Sequence, residues 1–193
     1  MSSPAGHGPR IAALVLCCGL CHLVAATEED DHSLALESVN IAVNHRIVFA
    51  DDLDNWGQLD YWATPDELYE RGSGDCEDYA IAKYFALLAA GLPAKQLRLI
   101  YVQVLAGGSG DIWRPHVAVA YLPAVGEDRI LDTLLDEIRP LSRRPDLRVL
   151  ISFDTDGIWR GLERGEPARD ARRIKPWAQV LARMAASHER AGN

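Results

Sequence analysis

One segment constrains the fold more than any other. Gly74-Asp75-Cys76-Glu77-Asp78 opens a run that reaches Ala90 before Gly91 and Pro93 stop it. Ala80, Ile81, Tyr84, Leu87 and Leu88 recur at three and four residues, the period of a helix with one apolar face. Small and apolar residues also fill much of the other face. A helix of this kind is stable only when other layers cover it, so it belongs at the centre of a core.

The covering layers follow in the chain. Residues 97–105, 116–123, 129–134 and 148–154 are short β-rich runs separated by turn signals: GGSGD at 107–111, VGED at 125–128 and Pro145-Asp146. An amphipathic segment, 174–189, closes the chain. Upstream, residues 33–50 place Leu34, Leu36, Val39, Ile41, Val43, Ile47 and Val48 at mostly helical spacing. Thr64-Pro65-Asp66-Glu67 starts a further short helix, with Thr as cap, Pro at the first position and acids in the first turn, ending at Gly72. Helices, an antiparallel meander and a closing helix make an α+β fold.

The N-terminal segment reads differently. Arg10 precedes an apolar stretch, Ile11 to Ala26, that ends in the small residues Val24-Ala25-Ala26. A charged start, an apolar centre and a small-residue end form a secretory signal cut near Ala26. The alternative is an uncleaved anchor, although the stretch is short for a membrane span, which takes about 20 residues. Residues 1–26 are therefore assigned to a signal and 27–193 to one domain, whose first few residues are acidic and loose. Export changes the cysteine count. Cys17, Cys18 and Cys21 leave with the signal, and the exported chain keeps Cys76. A lone cysteine in an oxidising compartment has no internal disulfide partner, so it is either an inert buried thiol or a free reactive one. The net charge of -8 argues against nucleic acid, and no basic run marks an anionic membrane surface.

Cys76 falls in the first turn of the central helix. Unpaired N–H groups and the helix dipole favour a thiolate there and supply donors for an oxyanion. Asp75, Glu77 and Asp78 act in the opposite sense, raising the thiol pKa. Two accounts of these acids stand side by side. Asp75 and Asp78 form a capping box, or some of the acids hold a hard cation such as calcium. A thiolate hydrolase also needs a histidine. His7 and His22 lie in the signal, and His32 and His188 lie at the chain ends. His45 reads as a surface residue of a helix. His116 starts a strand after the Gly-rich loop and is the candidate. If strands 116–123 and 129–132 form a hairpin through VGED, Asp132 comes to the same part of the sheet and is the candidate acceptor that fixes the histidine tautomer; otherwise it is a solvated turn acid. Trp62 is either a cleft wall or a core or surface aromatic.

These segments resemble the bacterial transglutaminase-like cysteine proteases of the LapG type. GDCEDYAIAKYFALL carries most of the likeness, and DYWATPDELYERGSGDCED, LRLIYV, HVAVAY, RILDTL and SFDTDGIW extend it from about Val39 to Trp159. The resemblance implies a papain- or transglutaminase-like core, with the nucleophile helix packed on an antiparallel sheet. It implies a triad of Cys76, His116 and Asp132, and calcium (Ca2+) bound by Asp75 and Glu77. It further implies a periplasmic enzyme that cuts a large repeat adhesin near its N-terminus between two alanines, which releases the adhesin and disperses biofilm. The implied partner is an inner-membrane cyclic di-GMP receptor of the LapD type. Val117 departs from the pattern, which carries Met after the histidine. Two other readings share these residues: a protein-glutamine acyltransferase using the same triad, and a non-catalytic calcium- or receptor-binding module with an inert Cys76.

Overall fold

The computed structural model describes residues 32–107 and 112–192. The signal assignment, 1–26, lies outside the described residues. Among those described, no helix is long and apolar enough to cross a membrane. The account below concerns the compact unit from Ala35 onward.

Among the described residues, five α-helices and eight strands follow one another: α1 (32–46), β1 (Val48–Phe49), α2 (Asp52–Trp56), α3 (Pro65–Arg71), β2 (Ser73–Gly74), α4 (Cys76–Ala89), β3 (Leu97–Ala106), β4 (Ile112–Tyr121), β5 (Arg129–Leu131), β6 (Arg139–Pro140), β7 (Leu147–Phe153), β8 (Ile158–Arg160) and α5 (Lys175–Ala191). The last six strands form one antiparallel sheet in the order β6-β5-β4-β3-β7-β8. This is the expected α+β arrangement, with the central helix lying on the sheet.

Alternation along the strands divides the core. Leu97 and Leu99 of β3 and Val117, Val119 and Tyr121 of β4 point to α4, where they meet Ile81, Tyr84 and Leu87. Trp177 and Val180 of α5 close the same cluster, and Trp177 is fully buried. Ile100 and Val102, with Ala118, Ala120 and Leu122, form a thinner layer on the other face. A third cluster joins α1, α3 and α4 through Val43, Ile47, Leu68, Tyr79 and Ala82.

Local chemistry sets the ends of the helices near the site. Thr64 caps α3, with its hydroxyl accepting from Glu67 N–H while Glu67 accepts from Thr64 N–H at 2.8 Å. Gly72 ends α3 at φ 75°, a conformation that favours glycine. Gly74 is required for another reason. A Cβ there would lie 2.6 Å from an Asp78 carboxylate oxygen and 2.7 Å from Leu68.

Several boundaries differ from the sequence expectation. α1 stops at residue 46, and Val48–Phe49 pairs in parallel with Ser73–Gly74. β4 begins at Ile112, so His116 lies within a strand and not at its start. β5 stops at Leu131, which leaves Asp132 just beyond it, where its carboxylate accepts from Leu134 N–H at 3.1 Å.

Candidate active site

A cavity of about 810 Å³ opens where the start of α4 meets β4, and both Cys76 and His116 line it. Its other walls include Trp62, Tyr101, Pro115 and Leu134. Trp62 is also a core aromatic, stacked on Phe153 with ring centroids 5.9 Å apart. The two expectations for Trp62 therefore describe one residue with two faces.

His116 and Asp132 meet directly. His116 Nε2 lies 2.8 Å from Asp132 Oδ1, and both side chains are buried. With Nε2 held by the carboxylate, Nδ1 is the nitrogen left for proton exchange. Arg144 completes this arrangement from outside the expected set, donating to Asp132 Oδ2 at 2.7 Å while it also pairs with Asp146. Burial alone would raise the Asp132 pKa. The bonds from His116, Leu134 N–H and Arg144, with the His116 charge, outweigh it and hold the carboxyl well below the usual range. Asn44 of α1 donates to the Asp132 carbonyl at 3.0 Å and ties this turn to the first helix. His45 is exposed and pairs with Asp136 at 2.8 Å, away from the cavity lining.

Cys76 is half-buried at the first position of α4. Its thiol donates to Glu77 Oε2 at 3.0 Å. Burial first, and then the charge and hydrogen bond of Glu77, push the thiol pKa far up. The N–H of Val117 acts against them by bonding to the sulfur. The helix start by itself favours a thiolate, and burial together with the neighbouring acids overrides it.

The acids divide into two roles. Asp78 is structural: it is buried, accepts from Ala63 N–H at 2.7 Å and accepts from Asp75 N–H at 3.4 Å. Burial, with Glu77 and Asp52, raises its pKa to about 7 against those bonds. Asp75 and Glu77 instead join Asp52, and one oxygen from each lies within 4.8 Å of the others. Asp52 was not among the expected residues. Asp75 Oδ1 and Asp52 Oδ1 are buried without hydrogen-bond partners among the described residues. Burial and the neighbouring carboxylates raise Asp75 to about 9. Orphaned hard oxygens, crowded and mutually repelling, suit a cation of the calcium type.

Known proteins resemble the chain in sequence and in fold. Residues 18–150 match the family described as bacterial transglutaminase-like cysteine proteinase BTLCP. No curated protein sequence is matched. Among solved structures, calcium-bound LapG of Legionella pneumophila is similar at 35% identity and a TM-score of 0.67, over 79% of this chain and 80% of that one. EGTA-treated LapG of the same organism matches at 35% and 0.67, over 79% and 78%. A further LapG structure matches at 34% and 0.66, over 79% and 78%. The family match over most of the chain and the shared fold agree, and the chain belongs to the bacterial transglutaminase-like cysteine proteinases.

Proposed function

We propose that the chain is a calcium-dependent, periplasmic cysteine endopeptidase of the LapG type, with Cys76 as nucleophile, His116 as acid and base, and Asp132 as orienter. The observation that carries this reading is the shared cavity of Cys76 and His116, together with the commitment of His116 Nε2 to Asp132.

The chemistry follows from those positions. The Cys76 thiol passes its proton to His116 Nδ1, and the sulfur attacks the peptide carbonyl carbon. The carbonyl π pair moves to oxygen, and N–H groups at the start of α4 hold the oxyanion. The oxyanion collapses, the C–N bond breaks, and the departing amine takes the proton from Nδ1. Water then gives a proton to Nδ1 while its oxygen attacks the thioester. Collapse of that adduct releases the acid and restores the thiol. Asp132 stabilises the imidazolium at each stage, and Arg144 keeps Asp132 ionised. Asp52, Asp75 and Glu77 are the residues that would hold calcium, and the bound ion would offset the carboxylate charge beside the sulfur.

The substrate in this reading is a large repeat adhesin cut near its N-terminus between two alanines, with release of the adhesin and biofilm dispersal. The partner that restrains the enzyme is an inner-membrane cyclic di-GMP receptor of the LapD type. Similarity to LapG, obtained in calcium-bound and EGTA-treated forms, supports the class and the metal. The test incubates the wild-type protein and Cys76→Ala with the host's largest exported repeat protein, with calcium or EGTA and a labelled amine. Cleavage by the wild type with calcium alone is the expected result. Cleavage by Cys76→Ala removes the nucleophile assignment, and amine incorporation without cleavage transfers the chain to the acyltransferases.

A further inference from the structure

Among the described residues, β4 is hydrogen-bonded along its full length on one side only. β3 pairs with every residue from Ile112 to Tyr121, whereas β5 reaches only Val119, Ala120 and Tyr121. Backbone parity shows what the open side presents. Leu122 N–H bonds to Gln96 C=O at 2.7 Å and extends the β3–β4 ladder, so the even-numbered residues of β4 turn their polar groups to β3. The odd-numbered residues turn theirs away. Val117 agrees, since its N–H meets the Cys76 sulfur. Pro115 agrees too, because an absent N–H is tolerated where it faces away from the ladder. The open edge therefore carries the Trp113 N–H and the Trp113 and Pro115 carbonyls. No described strand or backbone group bonds to them. Ile112, Arg114 and Pro115 are exposed and Trp113 is half-buried.

The position of the sulfur gives this edge a use. Along the open side of β4 the successive outward groups belong to Trp113, Pro115 and Val117, and the last meets Cys76. We propose that the substrate chain flanking the scissile bond adds to the sheet as an extended strand on Trp113 and Pro115, a line that delivers its carbonyl to the sulfur at Val117. Strand addition takes affinity from main-chain bonds and selects segments free to extend. The substrate class is thus an unfolded linker, with helices and tightly folded loops excluded. This assignment rests on the endopeptidase reading above.

The experiment uses the full chain with calcium and a quenched fluorescent, unstructured peptide with a central Ala-Ala bond. Single backbone amides are N-methylated in turn on each side of that bond. Losing one main-chain bond is expected to lower kcat/KM roughly five- to tenfold. The losses should fall at alternate residues on one side of the cut, the period of a strand. A second arm compares Trp113→Pro, which deletes the outward N–H and spares the β3 ladder, with Trp113→Ala, which keeps it. Rates are normalised to thiol titrated with iodoacetamide. Trp113→Pro should fall roughly five- to tenfold below Trp113→Ala. Uniform sensitivity to N-methylation, or equal rates for the two variants, overturns the edge assignment alone. A wild-type thiol that titrates while no peptide is cut overturns the endopeptidase reading and the edge with it.

Discussion

Arg144 donates to Asp132 Oδ2 at 2.7 Å, on the far side of the carboxylate that accepts from His116 at Oδ1. The pair is buried, with each side chain about 1% exposed. Removing one member of such a pair leaves an uncompensated charge, at a typical loss of about 3–5 kcal/mol. Arg144→Met is expected to lose stability of that order in chemical denaturation and to lower kcat/KM through a poorly held His116. Unchanged stability in denaturant would contradict the role given to Arg144.

Asp132 links the site to acid stability. Its carboxyl is buried, which raises the pKa, but the bonds from His116, Leu134 N–H and Arg144 dominate and depress it. A depressed carboxyl stabilises the fold above its unfolded pKa of about 3.9, and that contribution is withdrawn as pH falls through and below that value. Asp132→Asn should therefore flatten the fall in stability below about pH 4, seen as a smaller change in melting temperature from pH 5 to 3. The same variant should lower kcat roughly hundredfold, as expected when a general acid–base loses its orienter.

The acidic cluster predicts opposite effects with and without calcium. Asp52, Asp75 and Glu77 repel one another, and two of their oxygens lack partners among the described residues. Asp52→Asn should stabilise the calcium-free protein by relieving this repulsion. It should also reduce the thermal shift on adding calcium, which for the wild type is about 2.7 kcal/mol at a hundredfold excess over Kd. Equal shifts for both proteins in scanning calorimetry would exclude Asp52 from the metal site.

Lys83 is buried in α4, and its ammonium finds no hydrogen-bond partner among the described residues. Burial lowers its pKa to about 7, with Asp132 and Asp136 only partly offsetting the effect. The unfolded chain keeps this proton up to about pH 10.4, so between about pH 7 and 10 it binds more protons than the folded one. Stability contributed at this position therefore rises with pH across that window. Lys83→Met should be more stable at neutral pH by roughly 1–4 kcal/mol and should lose this rise, as read from urea midpoints at pH 7 and 9.

The legible parts of the molecule were those written in local pattern. The caps and 3.6-residue period around Cys76 set α4 almost to the residue, and the order of β-rich runs gave the β3-β4-β5 part of the meander, whereas β7 crosses back to pair with β3 instead of continuing it. His116 and Asp132 were legible because one hairpin joins their strands. Asp52 and Arg144 were not. Asp52 comes to Asp75 through the region of the two-residue parallel pairing of Val48–Phe49 with Ser73–Gly74, too short for any periodicity to register. Arg144 follows a 3-10 turn, Leu141–Arg143, whose three residues are too few to show a period. β8 escaped for the same reason, three residues being too few to show alternation. β4 was expected to begin at residue 116, yet it begins at Ile112 and takes in Pro115, which fits where its nitrogen faces away from the paired strand.

The turn that carries Asp132 hangs from the first helix. Asn44 donates to the Asp132 carbonyl and to the Asp136 carboxylate, and Asn40 donates to the Asp136 carbonyl. The setting of Asp132, the proposed orienter of His116, thus depends on a helix that touches neither His116 nor the sulfur through any hydrogen bond described above. An alanine in place of Asn44 would keep every residue of the proposed reaction and lose the strut that holds one of them in line, so a change confined to the first helix would silence it without a mark on its chemistry.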